Sequence, residues 1–218
     1  MKKEIQLFSN KISLGGGYKA STNFFNIFKN DYKLTFYTRS ILKKDIISKI
    51  KVKIYYLCNS IIWRYSSKLY NISISLPPFN IGMRQDFRNK KILVFQYVNE
   101  LISHTFIKQN SKKKLIFFLH DEWLFNGIFH FKKKKVLKNF FFLNLIEDFF
   151  TRKKKAAFSN LEDLNIVGNC EWITNKAKNS NVFKNARFFT LYNSIDTNFF
   201  KKDCLINYKR KLGLNESK

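Results

Sequence analysis

The chain has 218 residues, enough for one good-sized domain or two small ones. Its 45% hydrophobic content excludes global disorder, and no apolar run approaches the roughly 20 residues needed to cross a bilayer. The formal net charge of +26 has two readings: an anionic partner, nucleic acid or a lipid surface, or the Lys-, Asn- and Ile-rich composition that an AT-rich genome favours. The opening Met1-Lys2-Lys3-Glu4 is not followed by the apolar stretch of a signal peptide, so a cytoplasmic location is expected. Cys58, Cys170 and Cys204 lie far apart with no Cys-x-x-Cys pair, which predicts free thiols rather than a disulfide framework or a zinc site.

In chain order, Glu4 to Phe8 reads as a short strand. It leads into Gly15-Gly16-Gly17, three of the seven glycines of the chain. From Tyr18 to Asn30 the apolar residues Ala20, Phe24, Ile27 and Phe28 recur at helical spacing. Strand, glycine turn, helix is the layout that lets backbone N–H groups approach a phosphate, although a flexible turn has the same composition. Tyr32 to Tyr37 is a second strand. Residues 39–60 mix lysine and isoleucine without a readable period, and Ile61 to Leu69 has helical spacing. Ile72 to Leu76 stops at Pro77-Pro78, which continues neither strand nor helix, and Phe79 to Lys91 reads as a loop. Ile92 to Gln96 is a buried strand and Val98 to Gln109 a helix.

Leu115 to Leu119 is a continuous apolar run that ends abruptly at His120-Asp121-Glu122, followed by Trp123, Gly127 and His130. A buried strand with polar residues at its carboxyl end is the layout of a parallel sheet, where ligands bind beyond the strand ends. Lys132 to Leu143 is basic and aromatic together, as in a helix lying on a membrane surface or in a solvated lysine run beside a core segment. Helical pattern continues to Asn160. Leu164 to Val167 is a strand, Glu171 to Ser180 a helix and Arg187 to Leu191 a strand. This alternation predicts an α/β fold: a Rossmann-like parallel sheet with helices on both faces.

Several of these segments resemble one family, the family 4 glycosyltransferases with the GT-B fold, and within it those that build lipopolysaccharide and other surface polysaccharides. Leu119-His120-Asp121-Glu122-Trp123-Leu124-Phe125-Asn126-Gly127 resembles the T-L-H-D-x-W-x-F-T-G signature, with His130-Phe131 in place of His-Tyr. Gly15-Gly16-Gly17-Tyr18-Lys19-Ala20 is similar to the G-G-A-x-x-A loop. Leu164 to Val167, Glu171-Trp172-Ile173 and Ala177 to Ser180 resemble the valine-ended strand, S-x-W-L and the following helix. Asn193-Ser194-Ile195-Asp196-Thr197-Asn198-Phe199-Phe200 looks like N-G-I-D-T-x-x-F, and Lys209 to Leu214 like the helix before the second domain. The pattern departs at Glu122, often methionine, at Ser194, usually glycine, and at Lys132 to Phe142, where relatives carry cysteines. On this resemblance residues 1–192 are a first Rossmann-like domain, and 193–218 a linker and first helix towards a donor-binding domain that the chain does not include.

The resemblance implies transfer of a sugar from a nucleotide-sugar donor to a lipid-linked or polysaccharide acceptor, with no metal cofactor. Gly15, Gly16 and Gly17 would cradle the donor phosphates. His120 would donate a hydrogen bond to the donor sugar, Asp121 would orient that imidazole or hold an acceptor hydroxyl, and Glu122, Trp123 and His130 would line the acceptor side of the cleft. A separately encoded donor domain and an anionic membrane surface are the further partners expected. A competing reading, a basic ribosomal-type nucleic-acid-binding protein, fits the charge and the aromatics but accounts for neither the glycine turn nor the strand end at His120.

Overall fold

The apolar runs become adjacent strands because each is shielded on both sides, which only a sheet covered by helices provides. A computed structural model of the chain describes residues 2–9, 16–38, 46–65, 72–74, 91–99, 101–132 and 141–194. Its elements are β1 (Glu4–Ser9), α1 (Gly16–Phe28), β2 (Lys33–Thr38), α2 (Ile46–Tyr65), β3 (Ile92–Phe95), α3 (His104–Gln109), β4 (Lys114–Leu119), α4 (Phe141–Phe158), β5 (Asp163–Gly168), α5 (Glu171–Lys178) and β6 (Arg187–Thr190). The strands form one sheet in the order β2-β1-β3-β4-β5-β6. Every pairing is parallel, and β3 lies beside β4 as expected, with Leu93 opposite Leu115 and Phe95 opposite Phe117.

The direction of winding reverses between β1 and β3. From β1 the chain moves outward to β2, returns across β1 to β3, then proceeds the other way to β6. Because parallel crossovers are right-handed, the reversal sends helices to opposite faces. Packing agrees. Phe24 and Phe25 of α1 meet Ile5, Leu7 and Val94 on one face. Phe106 and Ile107 of α3, Ala157 and Phe158 of α4, and Ile173 and Ala177 of α5 meet Phe95, Phe117, Leu164 and Ile166 on the other. The point of reversal, at the carboxyl ends of β1 and β3, is where a doubly wound sheet opens a crevice.

Several expected boundaries move, each for a physical reason. Helix α1 begins at Gly16, so Gly16 and Gly17 form its first turn instead of a loop before it. The helix expected from Val98 starts only at His104, where the Ser103 hydroxyl caps the Phe106 N–H; Val98, Leu101 and Ile102 are buried in the irregular segment before it and imitate helical spacing. Helix α2 starts well before Ile61 and ends at Tyr65. Ile72 makes a single antiparallel bridge to Phe129. Met1, residues 10–15, 39–45, 66–71, 75–90, Glu100, 133–140 and 195–218 lie outside the described residues, and with them Gly15, the proline pair, Cys204, most of Lys132 to Leu143 and all but the first two residues of the expected linker. Cys58 and Cys170 are free and half-buried.

Phe117 sits at the centre of the larger core, fully buried, stacked on Phe95 at 4.5 Å and meeting Phe158 edge-on at 5.4 Å. Phe117→Ala should therefore cost about 3–5 kcal/mol, read from the midpoint of urea unfolding; a loss below about 1 kcal/mol would mean that the site collapses freely around the smaller side chain.

Candidate functional site

The crevice at the winding reversal is built by β1, α1, β3 and β4. At the end of β1, Ser9 is fully buried, and its hydroxyl accepts from Ser21 at 2.8 Å. Ser21 also lies 2.7 Å from the Gly17 carbonyl, so the first turn of α1 is tied to the strand end. Gly17 faces Tyr97, just past β3: a Cβ placed there would lie 3.0 Å from the Tyr97 Cβ and Cγ. Nothing lies within 4 Å of the corresponding position on Gly16, which faces open space. Tyr97 in turn packs against His120, ring centroids 6.4 Å apart, and against His130 at 6.3 Å. The glycine turn and the His120 strand end, a hundred residues apart in sequence, therefore meet across one tyrosine ring.

His120 Nε2 lies 2.9 Å from Gln96 Oε1. An amide oxygen only accepts, so Nε2 carries the hydrogen, and in the neutral ring Nδ1 is the acceptor. Burial lowers the His120 pKa, with the Asp121 charge offsetting part of the effect, so the neutral form is favoured. Gln96, Tyr97, Asn99, His120, Asp121 and Trp123 surround a small cavity of about 20 Å³, the room of one water. On the other side of Gln96 a larger apolar groove of about 160 Å³ runs between Ala20, Phe24, Ile27 and Phe28 of α1, Phe118 of β4 and the segment 191–194. The Asn23 amide closes its end on the Ser194 carbonyl at 3.3 Å.

Beyond His120 the chain forms an irregular loop, residues 121–132, buried from Glu122 to His130 and held from inside. Asp121 accepts from the Trp123 N–H at 3.0 Å and from His130 Nδ1 at 2.5 Å. His130 Nε2 then takes the Ser73 hydroxyl at 3.0 Å, and the Asn99 amide donates to that same hydroxyl oxygen at 3.4 Å. The Trp123 indole N–H reaches the Ser73 carbonyl at 2.6 Å. Glu122 is buried and receives Lys176 of α5 at 2.5 Å. From α4, Glu147 accepts the N–H groups of Ile128 at 2.6 Å and Phe129 at 3.4 Å. Lys154 donates to the carbonyls of Trp123 at 2.5 Å and Asn126 at 2.7 Å, with its ammonium 3.6 Å from the Trp123 ring centroid. Gly127 passes directly under α4, where a Cβ would stand 2.0 Å from the Glu147 carbonyl oxygen.

Of the expected site residues, His120, Gly16 and Gly17 come together at the crevice, and Gly15 is outside the described residues. Asp121 does not orient His120; it pairs with His130, because the turn after β4 brings the loop back onto its own start. The ring hydrogen expected to face a sugar is given to Gln96. Glu122, Trp123 and His130 are almost wholly buried and brace the loop rather than form an open wall. Gln96, Tyr97, Ser73, Glu147 and Lys154 were not anticipated. Gln96 was within reach of the rule that singled out His120, a polar residue where an apolar strand ends. Lys154 was hidden in the basic run Arg152 to Lys155, but Leu143, Glu147, Phe150 and Lys154 share one helical row. Comparison with models of known families, with curated proteins and with solved structures finds no match for this chain.

Lys154 makes the loop's clearest test. Burial holds its pKa well below the ordinary lysine range, with Glu147 and Asp121 offsetting part of the shift. The unfolded chain, with a lysine near 10.4, binds more protons than the folded one between the folded value and that pH. The lysine's contribution to stability is therefore complete above about 10.4 and declines as pH falls towards the folded value. Lys154→Met should remove that slope and leave two buried carbonyls without their donor, a loss of about 2–4 kcal/mol near neutral pH. Urea melts of both proteins across the alkaline range check this; parallel pH profiles would mean that Lys154 is solvated.

Proposed function

We propose that this chain is the acceptor-side domain of a GT-B-type glycosyltransferase, the first half of that fold, passing a sugar from a nucleotide donor to a hydroxyl of a lipid-linked or polysaccharide acceptor. The observation that carries the reading is the convergence of Gly17, Tyr97 and His120 at the winding reversal of a doubly wound sheet. Motif resemblance and geometry arrive separately at the same crevice.

The chemistry follows from the parts. The first turn of α1 presents backbone N–H groups without helical partners, at the positive end of the helix dipole. A diphosphate leaving group gains negative charge as the glycosidic bond breaks, and such N–H groups meet it without a metal ion. Gly16, open on its Cβ side, lets a phosphate approach the backbone. His120, neutral and fixed by Gln96, offers Nδ1 as acceptor to a sugar hydroxyl. The apolar groove beside Gln96 fits the less polar part of an acceptor. A donor-binding domain, on the same polypeptide or a separate one, supplies the opposite wall. The place of work is the cytoplasm, at the inner face of the cell membrane where a lipid-linked acceptor is met; no helix among the described residues is long and apolar enough to cross a membrane.

In a preparation with the donor domain supplied, His120→Ala should lower kcat about 10²-fold or more with little change in KM. A rise in KM alone would reduce His120 to part of the binding surface. The 218-residue chain by itself should turn over negligibly, since positioning both substrates contributes roughly 7–11 kcal/mol to such a reaction. Robust sugar transfer by the purified chain would overturn the two-domain reading.

A further inference from the structure

Helices α2 and α4 both anchor their inner sides in one small core: Tyr55, Cys58 and Ile62 from α2 meet Leu143, Ile146 and Phe150 from α4, with Ile128 and Phe129 between them. What each helix leaves outside is unusual. On α2, Ile50, Ile54, Leu57 and Ile61 are all exposed, Leu57 by 61%. Their spacing of four, three and four residues makes a single stripe along the helix. On α4, Phe141, Phe142, Leu145 and Phe149 are exposed on the side away from the inner row, Phe141 by 78%. Single exposed apolar residues need no explanation; two apolar stripes on helices rooted in the same core do.

The charges beside the stripes are mostly of one sign. Helix α2 contains no acidic residue, and Lys53 and Arg64 are exposed on it. On α4, Arg152, Lys153 and Lys155 are exposed beyond Phe149, with Asp148 the one exposed acid among the described residues of that helix. We propose that the outer sides of α2 and α4 form a docking face for an anionic lipid surface, the apolar stripes entering the acyl boundary and the basic side chains meeting the headgroups. Charge complementarity selects this occupant. A nucleic acid would use the cations and could stack on the phenylalanines of α4, but the aliphatic stripe Ile50, Ile54, Leu57 and Ile61 of α2 offers it neither a ring nor a hydrogen-bonding group, whereas an acyl boundary takes both stripes. A second copy of a chain with net charge +26 would bring like charges together.

The face locates the membrane attachment of the preceding reading and rests on that peripheral location, not on the sugar chemistry. The test therefore uses binding alone. The full chain is floated in a density gradient with vesicles of phosphatidylcholine or of mixed phosphatidylcholine and phosphatidylglycerol, at low and high salt. The expected result is co-flotation with the mixed vesicles, weakened by salt, and little with the neutral ones. Leu57→Ser combined with Phe149→Ser should weaken binding about tenfold or more, while Phe189→Ser, an equally exposed aromatic on β6, should not. Thermal melts of all variants confirm that folding is unchanged, since the replaced side chains are outside the core. Equal flotation with both vesicle types, no flotation, or indifference to the double substitution would overturn the proposal. So would salt-sensitive RNA binding, or a dimer that buries Leu57 and Phe149, in the absence of lipid binding. Any of these leaves the sugar-transfer reading standing, and an inactive enzyme that still floats leaves the docking face standing.

Discussion

The arrangement on which the site depends is an acid and a base on the inner row of α4. Glu147 and Lys154 are seven residues apart, two turns of helix, and both are almost completely buried. After β4, residues 122–130 are buried and, apart from the single bridge of Phe129 to Ile72, join neither the sheet nor a helix. Their backbone N–H and C=O groups must be paired, or each costs a large part of a hydrogen bond. The carboxylate supplies acceptors for Ile128 and Phe129, and the ammonium supplies donors for Trp123 and Asn126. One helix thereby closes both halves of the account. Without it Asp121 and His130 would have no fixed loop on which to meet, and the end of β4 would not present His120 at a defined angle.

This clamp also explains which parts of the molecule were legible in the sequence. The strands were, since Leu115 to Leu119 and Leu164 to Val167 are apolar runs that only a doubly covered sheet accommodates. Most of helix α2 before Ile61 was not, because its outer stripe of Ile50, Ile54, Leu57 and Ile61 is as apolar as its inner row, which erases the one-sided period by which a surface helix is recognised. The start of α3 was obscured by a buried irregular segment whose apolar spacing matches a helix. At the site, the residue types at the end of β4 were readable but their partners were not. Sequence places Asp121 next to His120, and adjacency suggested a pair. In an extended or turning backbone neighbouring side chains point apart, so Asp121 turned to His130, nine residues on, and His120 to Gln96 on the adjacent strand.

The same limitation applies to the charge. A total of +26 says nothing about where opposite charges are spent. Among the described residues the basic side chains serve different uses. Lys154 is structural and hidden. Lys176 neutralises buried Glu122 while lying 4.2 Å from the centroid of the Trp172 ring. Others, such as Arg152 and Lys153, remain exposed beside apolar residues. Among the described residues the last group is the one available to a partner, and its distribution on α2 and α4 carries more information than the sum.

The crevice itself is electrostatically one-sided. The start of α1 is positive by its dipole, and the carboxylate of Asp121 is committed to His130 and the Trp123 N–H. His120 is kept neutral by burial against the pull of Asp121. An anion arriving at the first turn of α1 changes that balance. Its negative charge, facing His120 across the Tyr97 ring, favours the imidazolium that burial had disfavoured. The ring then takes a proton on Nδ1 and becomes a donor on both nitrogens, one still held by Gln96 and the other turned to the crevice. The proton affinity of His120 is thus coupled to the presence of an anion at the first turn of α1: without one the neutral ring accepts at Nδ1, and with one the protonated ring donates there. Gln96 is what makes this directional, since by fixing Nε2 it leaves Nδ1 alone to change state.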